Sequence, residues 1–204
     1  MASMIRLVGE QDAEQTLAIY APIVRTTAVS FEVEPPTVNE MRERIGDTIA
    51  RFPWLVCEHG GTILGYAYSG EHRAREAYRW SVDVSVYVHP RARRSGVGRA
   101  LYRSLFEILT LQGFFNAYAR IALPNPASVA LHRSQGFQLV GVFEAVGYKL
   151  GAWHDVSCWR LSLQAPVVPP RPPIDIETAQ KSPGWTAALT AGLQSLRLEG
   201  RERG

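Results

Sequence analysis

Arg93, Arg94, Gly96, Gly98 and Arg99 crowd one short turn of this chain, and they are the residues best suited to hold an anion. An alternating apolar stretch (Val86, Tyr87, Val88) leads into the turn, and an amphipathic stretch beginning near Gly98 leaves it. The first turn of a helix has unpaired N–H groups and a dipole that favours negative charge. Glycines at 96 and 98 let a phosphate approach the backbone, so the turn is a candidate pyrophosphate cradle. A Walker loop would follow its last Gly with Lys and Ser or Thr, whereas Gly98 is followed by Arg99 and Ala100. A dinucleotide fingerprint would need a third Gly or Ala, and position 101 is Leu. Just upstream, Asp83 lies between Ser81 and Ser85 and ahead of Tyr87 on one strand face; Trp80, Val82, Val84, Val86 and Val88 take the other. A carboxylate there is either a general base in an acceptor cleft or the partner of Arg79 on the same face.

A second motif narrows the choice. In the run from Asn125 to Phe137, Asn125 reads as a helix cap, Pro126 as the first helical residue and Gly136 as the stop before a strand. The Arg93-x-x-Gly96-x-Gly98 turn followed by this Asn–Leu131–His132–Gly136–Phe137 spacing resembles the GNAT superfamily of N-acetyltransferases. That resemblance implies an α/β GNAT acyl-CoA N-acyltransferase fold, with a mixed central sheet flanked by helices. It also implies acetyl-CoA as co-substrate, held by Val86, Tyr87, Val88, Arg93, Arg94, Ser95, Gly96, Val97, Gly98, Arg99, Asn125 and Ser128.

Longer stretches are similar to the phosphinothricin N-acetyltransferases: residues 29–35, 52–56, 70–80 and 147–156, and the proline-rich run 166–172. The match spans about residues 5–176. The implied reaction is acetylation of the amine of phosphinothricin or a related amino acid of the methionine sulfone or sulfoximine type. Herbicide resistance and a homodimer are the corresponding expectations. The family's catalytic strand carries Glu where this chain has Asp83, a side chain shorter by one methylene, and its helix His matches His132. Asp83 is then the base, and His132 either protonates the departing thiolate or is a structural histidine. The oxyanion donor is expected from a bulged end of the strand around Val86 to Val88. An acidic amino acid calls for arginines and phenols; Arg73, Arg75, Tyr78 and Tyr87 are the candidates, with Phe31 and Glu34 closing over them. His154 and Asp155 rank below these, as packing residues. Two other readings stay open: acetylation of another small amine or a protein N-terminus, and a non-catalytic acyl-CoA-binding module.

These residues need elements to hold them. Ile5 and Leu7 mark a first strand, and Asp12 caps a helix with Ala13, Leu17, Tyr20 and Val24 on one face. Thr37 and Glu40 form a capping box ahead of Met41, Ile45 and Ile49. Residues 54–58 and 62–69 read as a hairpin, and 80–88, 116–123, 138–149 and 154–163 as further strands. The domain is expected over 4–165, a proline-rich linker over 166–181 and an extension over 182–204. Ser182-Pro183 would start a helix in that extension with Trp185, Leu189, Leu193 and Leu196 as one stripe.

Composition bounds the rest. The 204 residues suit one domain with an appendage. A net charge of +3 without aromatic–basic interleaving gives no reason to expect nucleic acid. Cys57 and Cys158 lack metal spacing and sit in no nucleophile motif, and Cys57 lies in an apolar run, so a buried inert thiol is expected. No apolar run reaches about 20 residues and no signal peptide is evident, which makes the cytoplasm the expected location.

Overall fold

The computed structural model describes residues 3–198. A seven-stranded sheet runs in the order β1-β2-β3-β4-β5-β7-β6. Its strands are β1 (Ser3–Leu7), β2 (Trp54–His59), β3 (Thr62–Glu71), β4 (Ser81–Val88), β5 (Asn116–Ala122), β6 (Gln138–Lys149) and β7 (Ala152–Ser162). Neighbours pair antiparallel except β4 and β5, which run parallel. The mixed sheet expected from the motifs is therefore the sheet observed.

Helices α1 (Ala13–Thr26) and α2 (Val38–Ile49) cover one face, and α3 (Val97–Gln112) covers the other. Strand alternation sends residues both ways. Leu55 and Cys57 of β2 join Leu101, Leu105 and Ile108 of α3, whereas Trp54 and Val56 join Val24, Met41 and Ile45. Each such fully buried aliphatic side chain contributes about 1.5–3 kcal/mol. The capping box forms as its spacing requires: Glu40 N–H donates to Thr37 Oγ1 and Thr37 N–H to Glu40 Oε2. Asp12 behaves differently. Its side chain makes no cap bond to α1; it accepts instead from Arg6 and from Gly9 N–H.

The β4–β5 ladder is short. Ser81, Val82 and Asp83 register with Asn116, Ala117 and Tyr118, and beyond that rung the strands part. The β5-facing backbone groups of the rest of β4 thus have no strand partner. On its other side β4 pairs with β3 without a register break, from Val82 opposite Glu71 to Val88 opposite Gly65. The bulge expected around Val86 to Val88 is absent from this ladder; divergence from β5 is what frees the donors.

The chain beyond the sheet turns back over α3. The segment contains α5 (Ile176–Gln180), α6 (Trp185–Thr190) and a 3-10 turn, Leu193–Ser195. The expected single helix is broken after Thr190. A Cβ on Gly192 would stand 1.8 Å from the Ala100 carbonyl oxygen, so the backbone itself packs against α3 there. Trp185, Leu189, Leu193 and Leu196 nevertheless all pack against the α3 core. Gly192 N–H donates to Ser104 Oγ at 3.1 Å, and Arg197 N–H to the Ser95 carbonyl at 2.8 Å. Residues 199–204 of the expected extension lie outside the described residues.

Candidate active site

The parting of β4 and β5 gives the site its shape. Gly96 caps α3 with φ 84°, and Arg94 is also left-handed at φ 63°. Ala100 N–H already bonds to the Gly96 carbonyl, so the N–H groups of Gly96, Val97, Gly98 and Arg99 are the helix's unpaired donors. The two glycines do different jobs. A Cβ on Gly98 would meet Leu131, Val88 and Val86 at 3.2–4.0 Å, so its bareness keeps open the junction of β4, α3 and α4 (Pro126–Ser134). A Cβ on Gly96 would come within 1.9 Å of the Ser195 carbonyl oxygen. The C-terminal segment thus packs on the side of Gly96 where a Cβ would project. Ser95 is buried and ties Oγ to the Ala92 carbonyl at 2.5 Å.

Asn125 caps α4 by accepting from Ser128 N–H at 3.1 Å. His132, three per cent exposed, is on that helix. Its Nδ1–H donates to the Ser128 carbonyl at 2.8 Å, which leaves Nε2 to accept from Tyr102 O–H at 2.9 Å. Burial pushes this imidazole below its ordinary range. The ring is neutral, with both nitrogens engaged, and the structure places it between α4 and α3.

Asp83 is at the last paired rung of the β4–β5 ladder. Its Oδ1 accepts from His72 Nδ1 at 2.6 Å, and Oδ2 pairs with Arg120 of β5. Arg79, the alternative partner left open by the sequence, is paired with Glu76 instead. Neither His72 nor Arg120 was singled out from sequence. Arg120 had a signal: along β5, Ala117, Ala119 and Ile121 point into the core, so Asn116, Tyr118 and Arg120 must share the other face. His72 had none, because it belongs to the loop after β3. It stacks on Tyr118 with ring centroids 4.3 Å apart.

A cavity of about 500 Å³ opens beside these groups. His72, Arg73 and Arg120 supply its polar wall, and Val29, Phe31, Phe143, Val146 and Val156 much of the apolar one. Two of the predicted acceptor residues, Phe31 and Arg73, are thus brought together. Arg75 and Tyr78 line a different cavity, of about 390 Å³, with Arg73 shared by both; it lies against the first residue of β4, Ser81, and against Phe114. Glu34 is exposed and lines neither cavity. Tyr87 packs edge-on to Tyr20 and beside Tyr66 in the core under α1, away from both. Burial accordingly holds its phenol well above the ordinary range.

The loop carrying Phe31 is fastened to the β6–β7 hairpin. Lys149 is buried, and its ammonium donates to the Val24 and Ser30 carbonyls, both at 2.6 Å. Desolvation lowers this ammonium's proton affinity. His154 Nε2–H donates to the Lys149 carbonyl at 3.0 Å, and Asp155 accepts from Ala145 N–H. Both therefore brace the hairpin. Cys158 lines the cavity and Cys57 is sealed in the core; burial raises both thiols, that of Cys57 to about 11.

Comparison with known proteins places this geometry. Residues 5–158 match the acetyltransferase (GNAT) domain. The chain is 42% identical over 168 residues to a phosphinothricin N-acetyltransferase of Streptomyces viridochromogenes, covering 82% of this chain and 91% of that one. It is 38% identical over 167 residues to an L-methionine sulfoximine/L-methionine sulfone acetyltransferase of Pseudomonas aeruginosa, covering 80% and 96%. Among solved structures, a phosphinothricin acetyltransferase from Sinorhizobium meliloti in complex with acetyl-CoA superimposes with a TM-score of 0.78 at 33% identity. It covers 84% of this chain and 97% of its own.

Proposed function

The chain belongs to the GNAT acetyltransferases, and from that premise we propose that it acetylates the α-amine of phosphinothricin or a related small acidic amino acid, using acetyl-CoA. The observation that carries the substrate class is the cavity beside Asp83: an apolar wall for a short side chain, facing Arg73 and Arg120 for its acidic groups.

The protein's groups divide the work. The free N–H groups at the start of α3, with Arg93, Arg94 and Arg99 nearby, suit a pyrophosphate. Bare Gly98 leaves room for the arm of the co-substrate to enter the gap between β4 and β5. Acetyl-CoA supplies a thioester carbonyl, on which negative charge builds as the amine attacks; the unpaired N–H groups of β4 are placed to receive it. An ammonium is no nucleophile, so it must first lose a proton toward the Asp83 carboxylate and its partners. His132 stays outside proton transfer in this reading, since both ring nitrogens are occupied, and water protonates the thiolate. Transfer is direct, in a ternary complex, because neither thiol is held as a thiolate.

The assembly in this reading is a homodimer in the cytoplasm. Edge strand β6 exposes Leu139, Val140, Val142, Phe143, Val146 and Tyr148, an apolar edge of the kind proteins cover. Phe143 and Val146 also line the cavity, so a second copy on β6 would sit beside the acceptor.

The test is release of coenzyme A thiol with phosphinothricin, methionine sulfone, methionine sulfoximine, glutamate and an N-terminal peptide as acceptors. Turnover confined to the phosphinothricin-like acids, reduced about 10²–10⁴-fold in Asp83→Ala, is expected. Turnover of the peptide alone overturns the substrate class.

A further inference from the structure

The carboxylate on β4 is not the group best placed to meet an amine. Both Asp83 oxygens are engaged, Oδ1 by His72 and Oδ2 by Arg120, and these two side chains, not Asp83, line the acceptor cavity. His72 points Nδ1 at Asp83, at 2.6 Å, and a carboxylate accepts only from an N–H. Nδ1 therefore carries a proton, and in the neutral ring the lone pair is on Nε2. That nitrogen has no protein partner among the described residues. The ring is held flat against Tyr118, with centroids 4.3 Å apart, and edge-on to Tyr78 at 6.0 Å.

We propose that His72 is the general base of this enzyme and that Asp83 is its positioning residue. The proposal rests on the acetyl-transfer reading and deepens it. In the step, an N–H bond of the substrate ammonium breaks and its electron pair stays on nitrogen, which then attacks the thioester. The proton forms a new bond to His72 Nε2. The resulting imidazolium keeps its Nδ1–H on Asp83, whose negative charge balances it, and later returns the proton to water at the cavity mouth. An imidazole oriented by a buried-side carboxylate is a recurrent device for this chemistry. Here it also answers the shortness of Asp83: the side chain that falls one methylene short of the amine is extended by the ring it holds. The charged and titratable groups around His72 are Asp83 of β4, Arg120 and Tyr118 of β5, Tyr78 and Arg73 of the preceding loop, Glu71 at the end of β3, and Cys158 across the cavity.

The experiment uses the full-length chain, with phosphinothricin and acetyl-CoA, and measures kcat and both KM values for His72→Ala, His72→Gln and Asp83→Asn. For both His72 variants kcat is expected to fall about 10²–10³-fold, with KM for acetyl-CoA unchanged. Added imidazole restores part of the activity of His72→Ala, and the fall of wild-type kcat/KM at low pH disappears in both. Asp83→Asn keeps the ring but loses its orientation, and falls by a similar factor. The proposal is overturned if His72→Gln, which still fills the space beside Asp83, turns over like wild type, or if the loss in His72→Ala resists imidazole. Wild-type protein that acetylates no amine would instead defeat the acetyl-transfer reading itself, and this assignment with it.

Discussion

Two loops border the site, and they are held by opposite means. The loop carrying Phe31, on the acceptor side, is fastened at points: Lys149 to the Val24 and Ser30 carbonyls, Tyr20 to Ser30 at 2.7 Å, and Arg44 to Glu32 at 2.7 Å. The loop carrying Gly96, on the co-substrate side, is held by continuous packing. Ala92 and Val97 lie in the main core, and the C-terminal segment presses its backbone along α3 from Gly192 to Arg197. Point fastenings depend on individual polar groups, each costly to break when buried. Continuous packing depends on shape, and fails through volume. The two substrates should therefore respond to different mutations.

The strongest blow falls on the packed side. Gly96→Ala forces a Cβ onto a left-handed residue and into the Ser195 carbonyl, and should cost about 2–4 kcal/mol of stability. Denaturant titration measures that loss, and calorimetric titration of coenzyme A should show weakened binding; unchanged affinity would mean that the C-terminal segment supports the loop only incidentally. Next comes Lys149→Met on the acceptor side. It strands two buried carbonyls, at about 1–3 kcal/mol, and should raise KM for the amine while leaving KM for acetyl-CoA as in wild type. A parallel rise in both constants would erase the distinction between the loops.

The smallest effect concerns His132, which ties α4 to α3. Burial lowers its proton affinity in the folded protein, so below the ordinary value of 6.5 the unfolded chain takes up the proton first. Its contribution is thus complete above that pH and is lost on acidification through and below it. Thermal melts from neutral to mildly acidic pH should show His132→Gln losing less stability than wild type, by about 2 °C.

The sequence made local devices plain and left cross-chain ones obscure. Thr37 with Glu40, and Asn125 with Pro126, announce helix starts because capping is settled within one turn. Alternation along β4 placed Asp83 opposite the core. The partners of Asp83 come from a loop and from a neighbouring strand, and no local period carries that information. Arg75 and Tyr78 looked equivalent to Arg73 because they share its segment; in the fold they line another cavity. No period in the stripe from Trp185 to Leu196 marks Gly192 as the point where backbone meets backbone.

The short seam between β4 and β5 has one more consequence. Strands β1 to β4 and strands β5, β7 and β6 form two half-sheets joined by only three register pairs, with Asp83 at the last of them. Beyond that rung the protein is an unfinished sheet. In the proposed reading, a co-substrate whose amides enter the gap would take the place of the missing strand edge, and its binding would complete the fold as well as the site. The enzyme would then be most fully folded when it is ready to react, and ligand binding would be felt by both halves at once.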